Sequence, residues 1–154
     1  WSHLEQLLTD APLYWIVTVR ADGRPHAAPL VGVWHEGTFA FCTGPEEQKQ
    51  RNLDANPRVA VTTGTTGAAG WDSGEDLVVE GTAVRVSDGA ALQGLADAWF
   101  AKYGDDWHFA VRGDELVEVS RSGGATEGGA RVYRVSPTKV ILFGSDHGQT
   151  TYRF

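Results

Sequence analysis

From Phe39 to Val61 the chain changes character three times within a short span, and few folds accommodate that. The apolar run Phe39-Ala40-Phe41-Cys42 ends in Thr43-Gly44-Pro45. A polar segment of helical character follows, and Asn56-Pro57 stops it. Val59-Ala60-Val61 then opens a second apolar run that continues into Thr62 and Thr63. The pattern predicts strand, tight turn, short helix, strand. Pro45 suits the first turn of that helix, where a missing N–H costs nothing. Free N–H groups and the positive end of the helix dipole would then face Thr43 and Gly44, which is the chemistry of an anion site. Gly44 lets an oxygen approach the backbone, and the Thr43 hydroxyl can donate. Lys49, Arg51 and Asn52 lie within reach of the same turn. The plainer reading is a solvated helix carrying a Glu47–Arg51 pair, with Lys49 an exposed lysine of little weight in stability. Glu46 and Glu47 work against the anion reading, because they already complement the dipole.

A chain of 154 residues fits one domain, residues 1–154, with a sizeable core. It has no methionine, not even at position 1, so residues are expected to precede Trp1. The formal net charge is −7, which argues against a general binder of nucleic acid or acidic membranes. A local basic pocket is compatible with it. Cys42 is the only cysteine, which excludes an intrachain disulfide and a cysteine-rich zinc site. It also fits a small apolar residue on a strand. No apolar run approaches the roughly 20 residues of a membrane span. The expected place is the cytoplasm, with no membrane and no nucleic acid among the partners.

Taken in order, residues 2–9 read as an amphipathic helix, capped by Ser2 with Glu5 as its capping box. Leu13 to Val19 is β-branched and aromatic, hence a strand. Ala21-Asp22-Gly23-Arg24 is an Asp-Gly hairpin turn. One strand is expected from Pro25 to Trp34; its two prolines place it at an edge or a bulge, leaving backbone groups near Pro29 free for a ligand. His35-Glu36-Gly37 turns into the strand ending at Cys42. A Gly/Thr/Ala-rich loop over 64–76 carries Trp71, and a strand with a bulge at Glu80-Gly81 follows over Leu77–Val86. Ser87 is expected to cap a helix running to Lys102, with Leu92, Leu95, Ala96, Trp99 and Phe100 at helical spacing. Residues 105–128 are mixed, and Ser122–Gly129 reads as loop. Arg131–Ser136 and Thr138–Phe143 read as strands parted by Pro137, and a polar loop leads to Thr150–Phe154. About six antiparallel strands with few helices suggest a closed barrel.

His3, His26, His35, His108 and His147 are scattered, without the spacing of a zinc site. There is no Gly-x-Ser-x-Gly elbow, no P-loop and no Gly-x-Gly-x-x-Gly. What is present is an ordered set of motifs. Asp22-Gly23-Arg24-Pro25-His26-x-x-Pro29 is followed by Cys42-Thr43-Gly44-Pro45, then Lys49-x-Arg51-Asn52-Leu53-x-x-Asn56-Pro57, then Glu80-Gly81-Thr82-Ala83. Tyr133-Arg134-Val135-x-Pro137-Thr138-Lys139-Val140, Phe143-Gly144 and Gln149-Thr150-x-Tyr152-Arg153-Phe154 close it. Over nearly the whole chain this set resembles the pyridoxamine-phosphate-oxidase-like split barrels, and most of all the B-type of their flavin/deazaflavin oxidoreductase branch, typical of actinobacteria.

The resemblance implies a mainly β fold, a six-stranded antiparallel split β-barrel, assembled as a homodimer with two cofactor sites at the interface. It implies that Cys42, Thr43, Gly44, Gln48, Lys49, Asn52 and Arg51 surround the cofactor phosphate. The strand Ala27, Ala28, Pro29, Leu30, Val31, Gly32 would lie along the tricyclic ring, and Tyr152 and Arg153 would arrive from the partner chain. Two positions depart from the pattern: Gln48 stands where relatives often have Ser or Arg, and Thr151 where this branch often has Arg.

The leading expectation is a reductase dependent on coenzyme F-420, passing a hydride to a small conjugated organic substrate, with no side chain acting as acid or base. Trp34, Trp71, Trp107 and Tyr152 would line the substrate pocket, or else pack the core. Lys49, Arg51, Arg58 and Arg153 would meet the cofactor's anionic tail. The alternatives are an FMN-dependent enzyme, a non-catalytic carrier of deazaflavin, flavin, haem or fatty acid, and a structural dimer whose site has decayed.

Overall fold

The computed structural model describes residues 1–68, 70–120, 124, 127–144 and 148–154. Parts of three expected loops, residue 69, 122–123 with 125–126, and 145–147 with His147, lie outside the described residues.

Helix α1 (Ser2–Asp10) turns Leu4 and Leu8 into the core. The expected capping box does not form. Trp1 is the N-cap without a side-chain bond, and its carbonyl accepts from the Glu5 N–H instead. Strand β1 (Tyr14–Val19) buries Tyr14, Ile16 and Thr18 and leaves the residues between them facing out, the period of a strand with one face covered. Gly23, at φ +86°, makes the turn, and the Asp22 carboxylate accepts from the Arg24 N–H and guanidinium.

The run Pro25–Trp34 is two strands rather than one, β2 (Pro25–Leu30) and β3 (Gly32–His35), broken at Val31. The break has a topological reason. β2 pairs with β1, β3 pairs with β4 (Thr38–Thr43), and they are the two ends of the same sheet. Next come α2 (Gln48–Ala55), β5 (Arg58–Gly64), β6 (Asp76–Val86) and α3 (Gly89–Tyr103). The cap of α3 is Asp88, one residue beyond the expected Ser87; its carboxylate accepts from the Ala91 N–H. A 3-10 turn (Gly104–Trp107) leads to a two-stranded ribbon, β7 (Phe109–Arg112) and β8 (Glu115–Glu118), folded about Gly113. Strands β9 (Arg131–Phe143) and β10 (Gln149–Arg153) finish the chain.

The sheet runs β2-β1-β5-β6-β9-β4-β3, with β10 on β9, and every pairing is antiparallel. The result is the mainly β, antiparallel split barrel that the motifs imply. Its sheet curls and stays open between β2 and β3 instead of closing, and among the described residues it counts eight strands, because the run at Val31 divides and the C-terminal tail adds β10. β9 is one strand, although Pro137 suggested two. Pro137 faces Gly81 where the register shifts after Glu80, and at such a bulge the missing proline donor breaks no ladder bond. Gly81 is needed there, because a Cβ would stand 2.3 Å from the Ser136 carbonyl oxygen.

Inside the curl, Tyr14, Phe39, Phe41 and Tyr133 form a row, with ring centroids 4.6, 6.3 and 5.6 Å apart in turn. Burying each such side chain contributes roughly 1.5–3 kcal/mol. A second core lies outside it. Leu92, Leu95, Ala96 and Trp99 of α3 pack on Val33, Ala40 and Val132, and reach Phe109 and Leu116 of the ribbon. That packing holds the ribbon against the end of β4, where the site lies.

Candidate functional site

Past Thr43, which is fully buried, the Gly44 carbonyl accepts from the Glu47 N–H at 3.2 Å. The four residues 44–47 form a β-turn with proline in its second position, where its fixed φ fits. Pro45 is therefore in the turn and not, as expected, in the first turn of the helix. The helix starts at Gln48 with Glu47 as N-cap.

The surprise is Lys49, expected to be exposed but only 9% accessible. Its ammonium is ion-paired with one carboxylate oxygen of Glu47, and the other oxygen accepts from the Gly44 N–H at 3.1 Å. Residues two apart do not face each other on a helix. The contact exists because Glu47 has an extended backbone, ψ 149°. A carboxylate is thus held at the place where the sequence predicts an anion. Burial lowers the Lys49 pKa from the ordinary lysine value, opposed by Cys42 beside it. Burial also pushes the Cys42 thiol up to about 11, so it is a neutral wall residue near pH 7.

Around this cradle opens a cavity of about 520 Å³, within the usual range for small-molecule sites. Pro29, Leu30, Val31, Cys42, Thr43, Gly44 and Lys49, all named from the sequence, line it together with Glu47. Its far wall holds Trp107, named from the sequence as a pocket residue, and a set that was not foreseen: Phe109, Leu116 and Glu118 from the ribbon, and residues 127–130. The signal was there in Phe109-Ala-Val-Arg-Gly-Asp-Glu-Leu-Val, two apolar runs about a Gly-Asp turn. β2 is the sheet edge, as its prolines predict. Pro25, Ala27 and Pro29 share one parity and are exposed; a proline is tolerated where the N–H would point away from the ladder. Ala27 therefore turns its backbone groups to the open edge, and Ala28, of the other parity, toward β1.

Other expected residues stand elsewhere. The Gly32 carbonyl is taken by the Tyr103 hydroxyl at 2.9 Å, and a Cβ there would strike the Phe39 ring. Gly32 thus serves the packing under α3. Asn52, 2% accessible, donates to the Thr18 hydroxyl at 2.8 Å and accepts from Gln48 at 2.8 Å. Asn52 ties α2 to β1, Gln48 holds Asn52 in place, and neither lines the cavity. Gln50, unforeseen, makes a parallel tie to the Tyr133 hydroxyl at 2.8 Å. Arg51 is on the surface, 3.4 Å from Glu46 and not paired with Glu47. Arg58 lines a separate depression on the outer sheet face. Tyr152 packs on Trp1 at 5.6 Å. Arg153, its neighbour on β10, points to the opposite face, and neither lines this cavity within its own chain. Of the tryptophans, Trp107 is in the cavity, Trp71 is exposed, and Trp34 lines a second cavity between α1 and α3.

The His26 pKa is lowered by burial and then by the charges of Arg20 and Lys49. Glu118 and Glu127 line the far wall of the cavity. Among the described residues no group of three or more His, Cys, Asp or Glu side chains is placed to hold a metal ion, and no helix is long and apolar enough to cross a membrane.

The profile of the pyridoxamine 5'-phosphate oxidase family matches residues 1–143. No curated protein matches the sequence significantly. Among solved structures, an F420 reductase is 25% identical, covering 88% of this chain and 94% of its own, with a TM-score of 0.58. A haem-binding protein from Mycobacterium smegmatis is 15% identical over 97% of this chain and 56% of its own, TM-score 0.74. A putative 5-nitroimidazole antibiotic resistance protein from Bacteroides thetaiotaomicron is 16% identical over 92% and 81%, TM-score 0.67. The last two likenesses are of fold.

Proposed function

The chain belongs to the pyridoxamine 5'-phosphate oxidase family, and on that premise we propose that it is a cytoplasmic, homodimeric oxidoreductase that uses coenzyme F-420 to reduce a small conjugated organic substrate. The observation that carries this reading is the cavity beside β2. It joins an open strand edge, apolar walls and a buried lysine whose ammonium, with the Gly44 N–H, already holds a carboxylate. A group that captures a carboxylate in this way suits the phosphate of a ribityl cofactor, which asks for the same charge-assisted donors. Lys49, the Gly44 N–H and Thr43 would hold the phosphate. Pro29, Leu30 and Val31 would lie along the ring, with Ala27 and Ala28 next on the same edge. Phe109 and Leu116 keep water from the far side. Gln48 and Asn52 act indirectly, by fixing α2 and so Lys49, while Arg51 and Gly32 have no direct role. Tyr152 and Arg153 are the partner chain's contribution. The bound deazaflavin would supply the hydride chemistry, and the protein binding, orientation and a dry pocket.

Sequence similarity to an F420 reductase supports the deazaflavin. One observation favours FMN as a second reading. Glu118 and Glu127 make the far wall acidic, and FMN has no oligoglutamate tail to bring near them. Titrating purified protein with each cofactor and following fluorescence, with and without a hydride acceptor, tests the proposal. Tighter binding of F-420 with turnover supports it. Tighter binding of FMN transfers the assignment to the flavin, and binding of either without turnover makes the protein a carrier.

A further inference from the structure

We propose that Glu47 is a built-in competitor for the cofactor phosphate, a carboxylate that must leave the Gly44–Lys49 cradle before a phosphate can enter. The inference rests on the cofactor reading above and adds a residue that decides how tightly the site is entered. Both oxygens of Glu47 are used as a bound anion's would be, one by the Gly44 N–H at 3.1 Å and one by the Lys49 ammonium. The side chain does not cap α2. It points back over Gly44, whose hypothetical Cβ would lie 3.3 Å from a Glu47 oxygen.

The two partners differ in freedom. Lys49 has a side-chain exposure of 11%, Glu47 one of 48%. Glu47 can swing into water about its own torsions, whereas Lys49 is confined and waits for the next anion. With Glu47 seated the cradle is neutral. A phosphate entering beside it meets a like charge, and a like charge about 4 Å away in water-like surroundings lowers affinity about fivefold. Glu46, the adjacent carboxylate, is 90% exposed and pairs with Arg51, so it carries the same formal charge without occupying the cradle.

The test compares the parent with Glu47→Gln, and with Glu46→Gln as a variant of equal net charge. Each is titrated with F-420, FMN, riboflavin, which lacks the phosphate, and inorganic phosphate, the last by thermal shift. Glu47→Gln is expected to bind FMN and F-420 about fivefold more tightly, to leave riboflavin unchanged, and to gain stabilisation from inorganic phosphate. Glu46→Gln should behave as the parent. Adding Lys49→Ala should abolish the gain. Equal affinity of parent and Glu47→Gln for FMN and F-420 overturns the competitor role while the cofactor reading stands, and so does an equal gain for riboflavin. Phosphate stabilising Glu47→Gln more than the parent, with neither cofactor bound by either protein, keeps the competing carboxylate and removes the cofactor reading.

Discussion

Gly81 illustrates how much a single residue decides in this chain. A methyl group there would meet the Ser136 carbonyl oxygen at 2.3 Å and Val135 at 2.8 Å, and Pro137 lies opposite without a donor to lose. Gly81→Ala is therefore expected to destabilise the protein by about 1–3 kcal/mol through overpacking, read as a lower urea midpoint with the slope unchanged. The same scale shows where sequence reasoning stops. Pro25 and Pro29 announce the edge strand, because a missing donor is a local property. The burial of Lys49 is not legible in its polar neighbours, since it depends on Glu47 adopting an extended backbone and on the ribbon closing the opposite wall. Asn52 and Gln48, named from their motif, anchor a helix within this chain and do not line the cavity. Side chains in those two roles are equally polar, so the sequence does not tell them apart.

Helix α2 is held by its own polar side chains, Asn52 to Thr18 and Gln50 to Tyr133. Asn52→Ala removes a buried bond and strands the Thr18 hydroxyl, at a cost of about 1–3 kcal/mol. A double-mutant cycle with Thr18→Val, read by chemical denaturation, should show coupling of at least about 0.5 kcal/mol; additive effects would mean that the helix is positioned by something else. Helix α3 carries a pH-dependent tie. The Lys102 ammonium donates to the Tyr14 hydroxyl at 2.7 Å, and burial lowers its pKa to about 8 from 10.5. Below about pH 8 both folded and unfolded chains hold this proton, and the desolvation cost is borne in full. Above it the folded chain releases first, so the unfolded chain binds more protons and stability rises with pH. Above about pH 9 the buried Cys42 thiol, raised to about 11, pulls the other way. The urea midpoint should thus rise between about pH 7.5 and pH 9, and Lys102→Met should flatten that rise. The helices and most strands are legible from spacing, although the expected caps Ser2 and Ser87 are not the ones that form. The β7–β8 ribbon has a turn signal in its sequence, but its strands are four residues each, and its place comes from packing on α3 and from the Leu116–Ala130 bridge.

On the scale of the whole molecule, the outer face of the sheet is covered by α3 and the ribbon only in part among the described residues. Register aligns Trp15, Thr62, Val78, Ile141 and Thr151 in one row across five strands, and Val17, Ala60, Glu80, Lys139 and Arg153 in the next. Trp15 is 47% exposed, and Arg153 stands at the end of a row, where a twin packed on this face would meet it. Sedimentation at micromolar concentration should find a dimer, with an interface burying above about 1,000 Å²; a monomer would remove the shared site. The function proposed for the molecule turns on whether the buried cation of the cradle holds the cofactor's phosphate. The most direct measurement is the affinity of the parent and of Lys49→Ala for F-420, titrated by fluorescence at low and high salt. The loss of a charge-assisted bond of about 1.5–3 kcal/mol predicts binding weaker by about 10- to 150-fold in the variant, and a smaller salt dependence than in the parent. Equal affinity in the two proteins would place the phosphate elsewhere and contradict the assignment of this cavity as the cofactor site.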